Sequence, residues 1–235
     1  MPLSPKLQEL IDGITPTDPN MMKRASIRQA RLTKPPGSLG RLEEISVKLA
    51  GIFGSSRPAV AGRSLVIAAG DHGVVAQGVT AYPSEITGQM VLNFLSGGAA
   101  ATAMARSLDV KVTVVDAGVK SDLPEHPDLI SLRIGPGTSD ISVGPAMSRD
   151  QAERCVLEGA RIGAEVAAAG NGLVATGDMG IGNTTVAAAI AASLAGGETA
   201  SWVGRGTGVD DAGLARKREA VQQAQRRIVG ITDPI

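Results

Sequence analysis

The residues with the clearest capacity for chemistry lie in one glycine-rich segment, Gly177–Thr185. It follows a predicted strand over 173–176 and precedes a predicted helix over 184–194. Glycines let the backbone approach a ligand without a Cβ atom in the way, and a helix N-terminus offers free N–H groups to an anion. The glycines and polar donors of the segment are Gly177, Gly180, Gly182, Asn183, Thr184 and Thr185. The pattern favours an anion site, with a glycine-rich turn that serves packing alone as the alternative.

A second glycine-rich loop, Gly204–Gly208, lies between a strand predicted over 201–203 and a charged helix predicted over 210–228. Parallel strands end at one edge of a sheet, so this loop could close on the same anion. Its contributors would be Gly206, Thr207 and Gly208, with Arg205 or Lys217 adding a positive charge. A flexible turn before the helix is the alternative interpretation.

The segment Gly70–Gly73 places Asp71 and His72 at the carboxyl end of a predicted buried strand over 65–69. His72 could act as a general acid or base, or donate a hydrogen bond to a substrate. We slightly favour a structural histidine that fixes the loop, because no serine or cysteine partner is apparent. Asp116 ends the next predicted strand, where a loop-stabilising carboxylate is favoured over a contact with the site.

The only tyrosine of the chain lies in a segment that leads into a predicted helix over 84–95. Tyr82, Ser84 and Gln89 could line a pocket for a flat heterocycle. A proline-containing surface turn with an ordinary helix start explains the same residues equally well.

Composition excludes several classes of protein. The 235 residues carry 23 basic and 23 acidic side chains and four aromatic ones, which argues against a nucleic-acid binder. One cysteine and two histidines leave little for a metal site, and Cys155 is interpreted as a small core residue. No apolar stretch is long enough to cross a bilayer and no signal peptide is apparent. These observations predict a cytoplasmic protein without a membrane or nucleic-acid partner.

The apolar pattern divides the chain at about residue 60. Residues 1–60 are predicted to form three helices, and residues 61–235 alternate strands with helices. A weak strand is predicted over 129–134, and Ser148–Gln151 fits a capping box that begins a long helix. Alternation of this kind is typical of an α/β fold with a mostly parallel sheet.

Six segments in this order and spacing resemble the nicotinate-nucleotide:5,6-dimethylbenzimidazole phosphoribosyltransferase family, and the likeness runs from about residue 4 to the last residue. The segments that carry it are Lys34–Glu43, Gly70–Gly73, Met90–Gly98, Gly144–Met147, Gly177–Thr185 and Val203–Asp211. The resemblance implies a homodimer with a Rossmann-like parallel sheet flanked by helices, and a smaller helical domain built from both chain ends.

The resemblance also implies the reaction. A nitrogen of dimethylbenzimidazole attacks C1′ of nicotinate mononucleotide and nicotinate leaves, which gives α-ribazole 5′-phosphate with inversion and requires no metal or cofactor. The two glycine-rich loops would hold the phosphoribosyl group, and the segment Tyr82–Gln89 would line the benzimidazole pocket with Met179 at its edge.

The sequence departs from the family pattern at two places. Asp178 stands where the family pattern Gly-Glu-Met-Gly has glutamate, so its carboxylate has a shorter reach to a ribose hydroxyl or the incoming base. The family's general base is a glutamate that follows a Gly-Gly-Phe-Glu segment, and no residue up to Ile235 matches it. Asp178 or Glu85 could substitute, but the catalytic residue stays unknown. The C-terminal part of the family fold is therefore expected to be absent. Apolar surface should then be exposed unless a dimer partner or a rearrangement covers it, and turnover should be weak.

Two other functions fit the same residues. A non-catalytic remnant could have kept the nucleotide or benzimidazole site, or another phosphosugar-binding enzyme could use the same glycine loops.

Overall fold

The computed structural model describes residues 3–231, 233 and 235. They form two compact units, the described residues of Pro2–Ala61 and the segment Gly62–Ile235. In these described ranges, no helix is long and apolar enough to cross a membrane.

The first unit consists of three helices: α1 (Pro5–Asp12), α2 (Pro19–Ala30) and α3 (Arg41–Phe53). Ser4 and Asp18 cap the first two, since their side chains accept hydrogen bonds from backbone N–H groups of the first turn. Each cap is followed by a proline at the first helical position, where the missing N–H costs nothing. The three predicted helices are thus present.

Helices α2 and α3 pack closely. The Asp18 N–H donates to the carbonyl of Gly51 at 2.9 Å. A Cβ atom at Gly51 would lie 2.6 Å from Cγ of Met22, so this glycine lets the two helices approach. Lys34 pairs with Glu43 at 2.6 Å beside a cleft of about 590 Å³. These two charges at the cleft therefore neutralise each other.

The second unit alternates strands and helices, and a short 3₁₀ helix, Gly73–Gln77, follows its first strand. Its strands are β1 (Arg63–Gly70), β2 (Lys111–Gly118), β3 (Leu129–Ser131) and β4 (Leu173–Met179). Its helices are α4 (Ile86–Leu95), α5 (Ala100–Ser107), α6 (Arg149–Ala168), α7 (Asn183–Ala195), α8 (Thr199–Trp202) and α9 (Asp211–Arg227).

All strand pairs are parallel, and the sheet order is β3-β2-β1-β4. In register, Ala69 lies opposite both Asp116 on β2 and Met179 on β4. The carboxyl ends of β1, β2 and β4 therefore meet at one edge of the sheet, where ligands bind in open α/β sheets. The predicted α/β class with a mostly parallel sheet is confirmed.

Small side chains determine how α7 packs on α9. The buried cluster between these helices is Ala188, Ala189, Ala192, Val203, Val221 and Ala224. Short side chains let two helix backbones come close, and close packing recovers dispersion contacts that aromatic residues would otherwise supply. This contact fixes the position of α9 relative to the N-terminus of α7.

One predicted strand is wrong. The apolar run predicts a strand over 201–203, but Thr199–Trp202 forms one turn of helix and Val203 alone is extended. The Trp202 indole donates to the carbonyl of Gly196 at 2.9 Å, and Val203 is buried against α7 and α9. Local hydrogen bonding and burial of one valine thus outweigh the β-propensity of a short apolar run.

Large apolar side chains are exposed in both units. Ile14 and Leu42 are exposed in the helical unit, and Leu173 and Leu194 are exposed in the α/β unit.

The capping box of α6 yields a stability prediction. The Ser148 hydroxyl accepts from the Gln151 N–H, and the Gln151 side chain accepts from the Ser148 N–H at 2.9 Å. We expect Ser148→Ala to lower the free energy of unfolding by about 1 kcal/mol. Urea unfolding followed by fluorescence of Trp202, the only tryptophan, measures this. Ser107→Ala is the matched control, because Ser107 is the last residue of α5 rather than an N-cap. Equal losses of unfolding free energy in both variants would contradict the capping role of Ser148.

Candidate active site

A buried lysine defines the first part of the site. Lys217 on α9 is 2% exposed, and its Nζ donates to Oγ1 of Thr184 in the first turn of α7 at 2.9 Å. Among the described residues, no carboxylate pairs with this ammonium, and burial lowers the pKa of Lys217. A buried cation without a counter-charge is costly, so this arrangement is suited to an anionic ligand.

Gly206 lets the loop backbone come close to that ammonium. A Cβ atom at Gly206 would lie 2.7 Å from both Nζ of Lys217 and Oγ1 of Thr184, and its φ of +55° favours glycine. Gly182 is the N-cap of α7 with a φ of +88°, and no side chain caps the helix N-terminus. The positive end of the α7 dipole and the Lys217 ammonium thus lie next to each other, and both favour a bound anion.

The loop 204–208 differs from the prediction in two respects. It follows a helix rather than a strand, because 199–202 is helical. Arg205 pairs with Asp211 and donates to the carbonyl of Val209 at 2.9 Å, so Lys217 supplies the charge. Thr207 Oγ1 lies 3.5 Å from Oγ1 of Thr80, and Gly208 has a φ of +91°. The structure therefore brings Gly206 to the ammonium and places Thr207 against the Thr80 segment.

A cavity of about 220 Å³ lies where β1, β2 and β4 end. Its polar or sulfur-containing lining residues are Asp71, His72, Thr138, Met147, Gln151, Cys155, Asp178, Met179 and Asn183. The remainder of the lining is formed by small or apolar residues of the strand ends and of the loop 134–138. Pockets for whole drug-sized ligands usually have about 300–1,000 Å³, so this cavity suits a single ring system rather than a nucleotide.

Three polar side chains lie together at this cavity. Asn183 donates through Nδ2 to Oδ2 of Asp178, and His72 lines the cavity beside them. Burial lowers the pKa of His72, although Asp71, Asn183 and Asp178 partly oppose this. The imidazole is therefore neutral at neutral pH, and Asp178 keeps an exposed carboxylate at the cavity.

The other two candidate acids stabilise loops. Asp71 Oδ2 accepts from the Lys120 N–H at 2.8 Å, and the Asp71 carbonyl accepts from the Thr138 N–H at 2.9 Å. Asp116 Oδ1 accepts from the Val119 N–H at 2.8 Å. Asp71 thus joins three loops around the cavity, and Asp116 has the loop-stabilising contact that the sequence favoured.

The residues predicted to contact a heterocycle are divided between two places. Met179 lines the cavity, whereas Tyr82, Ser84 and Gln89 lie outside its lining. Tyr82 is 49% exposed. Their segment adjoins the glycine-rich loop through the Ile181 N–H, which donates to the buried hydroxyl of Thr87 at 3.1 Å.

Several residues that line the cavity were not predicted as site residues from the sequence. Cys155, interpreted as a core residue, is half-buried and lines the cavity, and burial raises the pKa of its thiol. Gln151, four residues earlier on α6, donates to the carbonyl of Ile134 at 3.4 Å. Their helical spacing shows that they share a face, but only the placement of α6 shows that this face meets the strand ends. Within the described parts of the chain, no cluster of His, Cys, Asp and Glu could hold a metal ion.

The contact between Gly180 and His72 predicts a steric effect. A Cβ atom at Gly180 would overlap the carbonyl oxygen of Gly70 and lie 2.9 Å from Nε2 of His72. Gly180→Ala should therefore lower the free energy of unfolding by about 1–3 kcal/mol. Gly204→Ala is the control, because nothing lies within 4 Å of its added Cβ. Chemical unfolding of both variants tests this. An unchanged stability of Gly180→Ala would contradict the close contact of Gly180 with Gly70 and His72.

Burial of His72 predicts a pH effect on stability. Its pKa is lowered in the folded chain, so between that value and about 6.5 the unfolded chain binds a proton that the native chain does not. Stability should therefore fall as the pH drops from about 6.5, by up to about 1.4 kcal/mol per pH unit from this group. His72→Gln removes this contribution, so its unfolding free energy should depend less steeply on pH. Parallel curves for the two proteins between pH 5 and 8 would contradict the assignment.

Known proteins with a similar sequence belong to one family. A family model described as phosphoribosyltransferase matches residues 14–235. A nicotinate-nucleotide–dimethylbenzimidazole phosphoribosyltransferase of Roseiflexus sp. (strain RS-1) is 51% identical over 218 residues, which are 93% of this chain and 62% of the relative. The protein of that name from Deinococcus radiodurans is 48% identical and covers 99% of this chain and 65% of its own length.

A solved structure is also similar to this chain. The crystal structure of CobT from Thermus thermophilus superposes with a TM-score of 0.86 at 49% identity, and the match covers 89% of this chain and 63% of that one. The chain thus spans a little less than two thirds of the length of these relatives. The matched family model, together with sequence identity near one half, shows that this chain belongs to the phosphoribosyltransferase family.

Proposed function

We propose that this chain binds nicotinate mononucleotide and takes part in transfer of its phosphoribosyl group to 5,6-dimethylbenzimidazole, giving α-ribazole 5′-phosphate and nicotinate. The observation that carries the proposal is the buried ammonium of Lys217 beside Thr184 and Gly206, which no carboxylate of the described residues neutralises. The printed names of the relatives support the choice of substrates.

The chain order supports the placement of a nucleotide. Thr184 contacts the ammonium, and the preceding residue, Asn183, lines the cavity with Asp178. A ligand whose phosphate binds at Thr184 would thus have its ribose close to Asn183 and Asp178. Gly180 and Gly182 would let the backbone between them approach the sugar, and Gly206, Thr207 and Gly208 would close the phosphate side.

The cavity at the strand ends would take a ring. Its small apolar lining and its volume of about 220 Å³ suit one flat heterocycle. Met179 would contact that ring, and Tyr82, Ser84 and Gln89 would bound the site on the α4 side. In the transfer, the bond between a benzimidazole nitrogen and C1′ forms while the bond between C1′ and the nicotinate nitrogen breaks, and the proton on the other benzimidazole nitrogen is released. A homodimer and a cytoplasmic location belong to the same proposal, and light scattering of the purified chain tests the first.

Removal of the buried charge tests the proposed phosphate site. Lys217→Met should weaken binding of nicotinate mononucleotide at least about 30-fold, because a buried charge partner of the phosphate is lost. Isothermal titration calorimetry measures this. Arg218→Met is the matched control, since it removes the same charge from an exposed neighbour on the same helix. Nicotinate riboside, which lacks the phosphate, should bind both variants equally.

Product analysis tests the transfer itself. Incubation of the chain with both substrates should release nicotinate and α-ribazole 5′-phosphate in equal amounts, and Lys217→Met should reduce both. Unchanged nucleotide affinity in Lys217→Met would contradict the phosphate site. Binding of both substrates without any product would contradict the transfer and leave a binding protein.

A further inference from the structure

Asp71 is buried at the cavity with one carboxylate oxygen unsatisfied. The residue is 2% exposed and lines the cavity where β1 ends. Its Oδ2 accepts from the Lys120 N–H at 2.8 Å, whereas its Oδ1 is enclosed and has no hydrogen-bond partner among the described residues. A buried oxygen without a partner costs free energy, and this cost is recovered when a ligand brings a hydrogen-bond donor.

The charges at the cavity are negative. Among the described residues, neither a lysine nor an arginine lines the cavity, and Lys120 reaches Asp71 with its backbone N–H while its side chain is exposed. Burial lowers the pKa of His72, so the imidazole in the lining is neutral at neutral pH. Asp71 and Asp178 are therefore not offset by a cation of the lining. Such a cavity disfavours an anionic ring and favours a neutral ring with an N–H donor.

A glycine-rich segment packs against Asp71. Gly135 and Gly137 line the same cavity, and the Gly137 N–H donates to the carbonyl of Gly135 at 2.9 Å. A Cβ atom at Gly137 would lie 3.1 Å from Cβ of Asp71. The Asp71 carbonyl accepts from the Thr138 N–H at 2.9 Å, so the segment is also tied to Asp71 through its backbone. The wall beside the carboxylate thus consists of backbone without side chains at its two glycines.

We propose that Asp71 is a specificity-determining residue whose Oδ1 accepts the ring N–H of an azole in the cavity, with the segment Gly135–Gly137 displaced to admit the ring. The inference rests on the proposed function, which supplies such an azole as the incoming base. A hydrogen bond from one ring nitrogen leaves the lone pair of the other free to attack C1′. A ring without an N–H leaves Oδ1 unpaired, and a ring with a carboxylate adds a like charge.

Asp178 is the second carboxylate at the cavity, and its surroundings differ from those of Asp71. Asp178 is exposed, and Asn183 donates to its Oδ2. Water competes for a hydrogen bond at an exposed carboxylate, whereas a hydrogen bond to an enclosed one forms in a region of low dielectric constant. Discrimination between rings with and without an N–H is therefore assigned to Asp71, and Asp178 is left to the sugar.

Two azoles that differ at one ring nitrogen test the proposal. Calorimetry on the 235-residue chain compares 5,6-dimethylbenzimidazole with 1,5,6-trimethylbenzimidazole, in which a methyl group replaces the N–H hydrogen. The wild-type chain should bind the N–H ligand at least about tenfold more tightly, the value of one hydrogen bond to a charged group. Asp71→Asn keeps the size of the side chain and an oxygen for the Lys120 N–H, but it presents an NH₂ group in place of Oδ1. The preference should therefore fall to about one or reverse.

Asp116→Asn is the matched control. Asp116 is also 2% exposed and lies near the end of β2, but it does not line the cavity, so its variant should keep the wild-type ratio of affinities. A loss of folded protein affects both ligands alike and cancels in that ratio. A wild-type ratio in Asp71→Asn would overturn the inference, because a preference set by the bulk of the methyl group would persist there. A ratio that is lost in Asp178→Asn but kept in Asp71→Asn would overturn it as well.

Nicotinate mononucleotide is titrated in the same samples, which separates this inference from the proposed function. Absence of nucleotide binding by the wild-type chain contradicts the proposed function. Nucleotide binding without azole binding, or without a preference for the N–H ligand, contradicts the role of Asp71 alone.

A structure of the wild-type chain with 5,6-dimethylbenzimidazole tests the same contact without a variant. One ring nitrogen should lie within hydrogen-bond distance of Oδ1 of Asp71, and the segment Gly135–Gly137 should be shifted away from the carboxylate. A ring bound in the cavity with both nitrogens away from Asp71 would overturn the inference.

Discussion

The burial of one ammonium group is the constraint on which the rest of the site depends. Lys217 gives up hydration without gaining a carboxylate partner among the described residues, and its contact is the Thr184 hydroxyl at 2.9 Å. Burial of an unpaired charge costs several kcal/mol, so the surrounding packing must hold it in place. That packing is the contact between α7 and α9, where alanines and valines bring the two helices together. The small side chains of this contact thus determine where the charge lies.

The parallel sheet provides the second condition. Because β1, β2 and β4 run in one direction, Asp71, Asp116 and Asp178 all lie at the same edge. Two of them are used by the protein itself: Asp71 and Asp116 accept backbone N–H groups and hold the loops around the cavity. Asp71 Oδ1 is enclosed without a hydrogen-bond partner among the described groups, whereas Asp178 is exposed and is bound at one oxygen by Asn183. The same residue type at equivalent places in the sheet therefore serves different purposes, determined by which N–H groups the neighbouring loops present.

Most of the fold could be predicted from the sequence, because its signals are local. Prolines after Ser4 and Asp18 and the capping box at Ser148 begin helices where predicted. The run over 201–203 was mistaken for a strand, since burial of Val203 depends on how α7 and α9 pack together, which the local apolar pattern does not show. The glycine loop and Lys217 were predicted as site residues, and the structure joins Lys217 to Thr184. Cys155 and Gln151 could not be predicted, because nothing in their spacing shows where α6 meets the sheet.

A crystal structure of this chain with nicotinate mononucleotide would test the account most directly. The account predicts the phosphate within hydrogen-bond distance of Nζ of Lys217 and Oγ1 of Thr184, in the space beside Gly206, with the sugar towards Asn183. A phosphate bound elsewhere, with Lys217 still in contact only with Thr184, would contradict the claim that the buried ammonium exists to hold it.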